Sequence, residues 1–261
     1  LGDEENARES IYQEGLSSME EEQYAAAYTC FADQQDYKDS AQRMVSAELE
    51  KIKATGYEKG STVSFGSYQQ QKEGGKDPIE WTVLSQDGDK ILLLSNKVLA
   101  GKPYMDVDTQ VNWQTCSLRT WLNKDFYNDA FTEGEQKGIV KTPLVTEIYE
   151  HTRDGYVANH EWGLKTEDNV FVLSALEAEK YFDTEEDLLR APTEAFYIYT
   201  GDTGYAWWWL RTHGTRIEKN YIMYIGRGEE ESDIIDQYGW WATDSIGVCP
   251  AIWLDLSALE E

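Results

Sequence analysis

The chain has 261 residues, a formal net charge of −26 and a mean hydropathy of −0.63. That length suits one large domain, or a medium domain with a small companion. So acidic a surface repels phosphates and anionic headgroups, which excludes nucleic acid as a partner. No apolar run of about 18 residues occurs, so no transmembrane helix is expected.

Residues 1–56 read as helical, with good helix formers throughout, no Pro and only Gly2, Gly15 and Gly56. Apolar positions recur at helical spacing in Ile11, Tyr12, Leu16 and Met19, in Tyr24, Ala27, Tyr28 and Phe31, and in Ala41, Met44, Val45, Leu49 and Ile52. Breaks near Glu20–Gln23 and Asp33–Asp36 divide the stretch into three helices. The run YQEGLSSMEEEQYAAAYTCF followed by DYKDSA resembles about one and a half tetratricopeptide-type repeats. Such a fragment is too short to bury its own faces. It is expected to dock on the following domain or to continue an array upstream.

Residues 57–261 change to glycine-punctuated, strand-like sequence. IEWTVLS and KILLLSNKVL flank the turn QDGD, a hairpin signal. SLRTWLNKDFYNDAF reads as a helix. Thr132 with Glu135, and Ser174 with Glu177, have capping-box spacing ahead of two more helices. Residues 146–168 lack periodicity and read as a long loop. The tryptophans of GYAWWWLRTHG make sense only on a strand, where Trp207 and Trp209 face one side and Trp208 the other. That strand is expected to be central, with Arg119 and Arg211 as buried guanidinium ties. NYIMYIG and SIGVCPAIWLDL supply the closing strands. The order predicts an α+β domain with an antiparallel sheet.

VSFGSY, PIEWTVL, LLLSNKVLAGKPY, CSLRTWLNKDFYNDAF, VFVLSALEAEKYF, WWLRT and IGVCPAIWL are the motifs that carry a further likeness. Through them the larger region resembles an uncharacterised bacterial domain family met in exported proteins of Gram-positive bacteria. That family is in turn distantly similar to C-type-lectin-like domains of the formylglycine-generating type. The resemblance implies a C-type-lectin-like fold over 57–261 and an extracellular or cell-surface location, the start LGDEENARES being read as mature or trimmed. Cys249 stands where the family carries Arg, and WLRTHG replaces WLRSPG, so roles tied to those positions do not transfer.

The candidate chemistry follows. Cys30, Cys116 and Cys249 have no CxxC or zinc spacing, so neither a disulfide framework nor thiol-pair catalysis is expected. His151, His160 and His213 lack the context of HExxH or a nucleophile elbow. The acidic run GEEESDIIDQYG makes Glu230, Glu231, Asp233 and Asp236 the candidate calcium ligands, although no EF-hand frame is present. Tyr238, Trp240 and Trp241 follow that run around Gly239, and with His213 they form the candidate ligand-binding set. Flat aromatic rings stack on sugars and supply rigid contact area. The expected function is non-catalytic binding of a glycan or protein ligand at the cell surface, without an obligate cofactor. The alternatives are an assembly module that uses the helical segment for a protein partner, and an enzyme with an unrecognised site.

Overall fold

The computed structural model describes residues 2–153, 155–196, 204–215, 220–226 and 234–258. It opens with helices α1 (Gly2–Glu20), α2 (Tyr24–Ala32) and α3 (Ser40–Thr55). Their breaks fall where the apolar periodicity stops. Tyr12 meets Phe31 edge-on at 5.9 Å, and Tyr12 Oη donates to Asp39 Oδ1 at 2.6 Å. Gly15 lets the two helices approach, since a Cβ there would lie 2.7 Å from Phe31.

Helix α3 docks these helices on the rest of the chain. It meets β1 (Thr62–Tyr68) and α6 (Glu133–Gln136). At the contact two glutamates, Glu48 and Glu135, are buried to 7% and 3% exposure. Gly66 N donates to Glu48 Oε1 at 3.3 Å, and Thr132 N donates to Glu135 Oε2 at 2.6 Å. Glu48 Oε2 meets no N–H or O–H donor among the described residues; it faces the Glu135 carboxyl instead. Two acceptor-only groups can sit together in a dry contact only by sharing a proton.

A four-stranded antiparallel sheet runs β1-β2-β3-β11, with β2 at Asp77–Asp87, β3 at Lys90–Ser95 and β11 at Ala251–Asp255. The expected hairpin is β2–β3, turning at Gly88 with φ of 60°. A five-stranded sheet runs β4-β10-β7-β8-β9. Its strands are β4 (Ala100–Pro103), β10 (Ser245–Val248), β7 (Trp208–His213), β8 (Tyr221–Ile225) and β9 (Ile235–Trp241). Its pairs are antiparallel except β10 with β7. The sheets share a seam, because β3 leads into β4 where β10 leads into β11. Ser95 N there donates to Pro250 O at 3.0 Å and Leu99 N to Val248 O at 3.1 Å. The predicted long helix is α4 (Ser117–Trp121), a π turn and α5 (Tyr127–Ala130) in succession. Both capping boxes form, at α6 and at α7 (Ala175–Tyr181).

The expected loop over 146–168 is instead regular. Strands β5 (Thr142–Thr152) and β6 (Gly155–Asp168) form an antiparallel ribbon. Toward its tip no second layer covers it among the described residues, and Tyr156 and Val157 are exposed. Without one buried face there is no pressure for apolar–polar alternation, so the strand signal is absent from the sequence.

The Trp run lies on β7, the middle strand of the five, and both faces are covered. Trp208 and Trp209 are fully buried, donating their indole N–H groups to Leu188 O at 3.2 Å and Lys102 O at 2.8 Å. Trp207 lies just before the strand, against Tyr224 and Trp240. Arg211 is buried too, and each of its five N–H groups has an acceptor. Nε donates to Thr146 Oγ1 at 3.0 Å. Nη1 donates to Val172 O at 2.9 Å and to Glu177 Oε2. Nη2 donates to Val145 O at 3.3 Å and Glu177 Oε1 at 2.6 Å. Glu147 sits nearby, also buried, accepting from Leu176 N at 3.0 Å and Thr212 Oγ1 at 2.8 Å.

Arg211→Met is expected to cost about 3–5 kcal/mol in urea unfolding, since it leaves the Glu177 and Glu147 carboxylates without their cation. The second prediction concerns pH. Burial first, and the facing Glu135 second, push the Glu48 carboxyl well above its ordinary value of 4.5. With the folded value raised, stability is full below the ordinary value and is lost as pH rises through the raised one. The melting temperature should therefore fall as pH rises above the ordinary carboxylate value. Glu48→Gln should flatten that fall and melt above the parent at the alkaline end.

Candidate functional site

The candidate ligand residues lie on neighbouring strands. His213 on β7 is opposite Ile222 on β8, and Ile222 is opposite Trp240 on β9. Directly opposed residues share a face, so His213 and Trp240 stand on one side, two strand spacings or about 10 Å apart. Trp240 is half-buried, 5.3 Å from Trp207, and its indole N–H donates to Asp244 Oδ2 at 2.9 Å. His213 is also half-buried, its Nδ1 2.8 Å from Gly214 O. Trp241 belongs to the other side. It is 41% exposed and lies 4.5 Å from Tyr221, its partner across the strands. Tyr238 is 61% exposed. Gly239 has φ of 88°, and its Cα packs so close to Ile222 that a Cβ would lie 2.8 Å from the Ile222 carbonyl oxygen. That glycine lets β9 turn between the exposed Tyr238 and the packed Trp240. The exposed members of the set are Tyr238 and Trp241, the latter with Tyr221 beneath it, and this exposed stretch of β9 is the ledge.

Asp236 is the one candidate metal ligand among the described residues. Its carboxylate accepts from Tyr224 Oη at 3.0 Å and Gly239 N at 2.8 Å. Glu230, Glu231 and Asp233 lie outside the described residues. Among the described residues no group of three or more His, Cys, Asp or Glu is placed to hold a metal.

A second feature is the cleft of about 440 Å³ beside α4. Lys102, Met105, Asp106, Trp121 and Asp125 line it. Trp121 is half-buried, packed against the core, with Lys102 Nζ 5.0 Å from its ring centroid. The cleft borders the ledge. Met105 N donates to Ala242 O at 2.9 Å, next to Trp241, and Asn220 Nδ2 donates to Asp108 Oδ1 at 2.6 Å, next to Tyr221.

The charged groups of the core are used structurally. Arg119 Nε donates to the buried Asp168 Oδ1 at 2.6 Å, and Trp113 Nε1 and Thr166 Oγ1 take the other oxygen at 2.9 Å and 2.8 Å. Arg190 donates to the carbonyls of Ser95, Asp187 and Leu189 at 3.2, 2.6 and 3.1 Å. It supplies a cation beside Cys249. All three cysteines are free. Cys116 caps α4, accepting from Arg119 N at 3.4 Å, whereas Cys249 lies in the seam against Lys97 O. Burial pushes both thiols up to about 12. At neutral pH they stay protonated and poorly nucleophilic. Iodoacetamide on the native chain should label at most Cys30, and all three cysteines after denaturation; labelling of Cys116 or Cys249 in the folded chain would contradict this placement.

No helix among the described residues is long and apolar enough to cross a membrane. No curated protein and no solved structure matches the chain. A family model does match, over residues 88–256, well over half of the sequence. The match begins in the β2–β3 turn, so β1 and β2 complete a sheet whose other strands lie within it. The chain belongs to the family described as Domain of unknown function (DUF6273).

Proposed function

We propose that the chain is a non-catalytic binding module that recognises a glycan or protein ligand outside the cell. The observation that carries this reading is the ledge. Trp241 and Tyr238 leave large aromatic surface in solvent from a strand, not from a loose loop. Rigid exposed rings supply large contact area at low entropy cost. The buried thiols and the structural use of Arg119, Arg190 and Arg211 leave those groups without a reactive role. The sequence motifs support a C-type-lectin-like reading of the domain, export to the surface of a Gram-positive bacterium, and a tetratricopeptide-like reading of the helices. The acidic run after Arg227 is the place for calcium in this proposal.

An assembly role is the second reading. It is favoured by the helical segment, which docks through α3 and leaves Ile11 of α1 exposed for a protein partner.

A glycan-array screen of the full chain, with calcium and with chelator, tests the first reading. Binding is expected, and Trp241→Ala should weaken it on the order of 30-fold while leaving the melting temperature in place. Loss on chelation would bring in the acidic run. Binding unchanged in both Trp241→Ala and Tyr238→Ala would remove the ledge from the function. No binding in either condition would move the assembly role to first place.

A further inference from the structure

The cleft beside α4 is a built feature. Leu118 N donates to Tyr104 O at 3.1 Å, Asp106 N to Ser117 Oγ at 2.9 Å and Trp209 Nε1 to Lys102 O at 2.8 Å. These bonds tie the segment 102–106 to the start of α4 and to the central strand, so the walls are fixed before any ligand arrives. About 440 Å³ falls within the ordinary range of small-molecule sites.

Its lining combines both signs of charge with an aromatic face. Among the described residues Lys102, Asp106 and Asp125 enter no ion pair. Here one ammonium and two carboxylates line a single cleft, yet the ammonium rests on the face of Trp121.

We propose that this cleft binds one neutral sugar ring. The inference deepens the binding reading above, and rests on it, by naming the ligand class. Carboxylates only accept hydrogen bonds and an ammonium only donates them. A ligand that meets both sets must do both from adjacent positions, as neighbouring ring hydroxyls do. The apolar face of the same ring stacks on Trp121 once Lys102 moves to the hydroxyl edge. An anionic sugar would meet Asp106, Asp125 and the field of the whole acidic chain. A zwitterion would have to bind through ion pairs in an open, wet cleft, where such pairs contribute little.

The test uses the ¹⁵N-labelled full chain and its tryptophan indole N–H signals. Trp121→Phe and Trp241→Phe identify the cleft and ledge signals by their loss. The probes are maltose, cellobiose and N,N′-diacetylchitobiose, each taken to tens of millimolar, with free glycine as the zwitterion. The expected result is a saturable shift of the Trp121 signal with at least one disaccharide, weakened about tenfold or more in the Asp106→Asn, Asp125→Asn double variant. Movement of the Trp241 signal alone would overturn the cleft while keeping the binding reading. No movement of either signal would overturn the cleft and count against glycan binding as a whole. A Trp121 shift with glycine and with no sugar would overturn the ligand class. A sugar-induced shift that the double variant leaves unchanged would overturn the assigned contacts.

Discussion

A guanidinium without water must have five acceptors, and the fold is arranged to give Arg211 all five. They come from β5, from the stretch before α7 and from α7 itself, while Arg211 sits on β7. The backbone of the same residue is used as well: its N–H donates to Leu173 O at 2.9 Å, and its carbonyl accepts from Tyr104 Oη at 3.0 Å. One side chain therefore fixes the base of the β5–β6 ribbon, the helix α7 and the middle strand of the larger sheet in one arrangement. A two-stranded ribbon is marginal alone. Here its root is held by a charge that cannot be moved without leaving the buried Glu147 and the half-buried Glu177 without their cation.

The capping boxes extend the same logic. Glu177 closes the N-terminus of α7 and is also the carboxylate of Arg211. Glu135 closes α6 and is also the group that faces Glu48. In each case a local helix signal and a long-range contact use the same side chain. The first joins elements within the β-rich domain. The second joins the helical segment to it through a shared proton, which is weaker and depends on pH. The molecule is thus firmly tied around β7 and more conditionally tied at α3.

How much of this was legible depends on the range of the interaction. The helices, the caps and the β2–β3 hairpin are set by neighbours within a few residues, so spacing reveals them. The ribbon is set by mutual pairing with no buried face toward its tip, and its sequence carries no period to read. Glu48 left a faint trace: it lies between Met44, Val45, Leu49 and Ile52, within the apolar stripe of α3. A charge in such a stripe signals a buried partner, but only the fold says which. Trp121 shows where spacing stops being informative. Its spacing matches the buried Leu118 and Leu122, yet it lies at the border of that stripe, where half of a ring can face a cleft.

Adjacent tryptophans on β9 show why composition alone cannot locate a site. Trp240 and Trp241 are chemically the same and one residue apart. The pleat sends the first inward onto Trp207 and Tyr224, and the second outward over Tyr221. Gly239 sets which is which, because its positive φ and close approach to Ile222 fix where the pleat resumes after Tyr238. A residue with a Cβ there would push β9 away from β8 and disturb the alternation. The ledge is therefore as much a product of a glycine as of the aromatic rings, and the rings behind it, anchored through Trp207 to the start of β7, keep it rigid. Binding surface at one edge and the buried guanidinium at the centre are consequences of the same strand order.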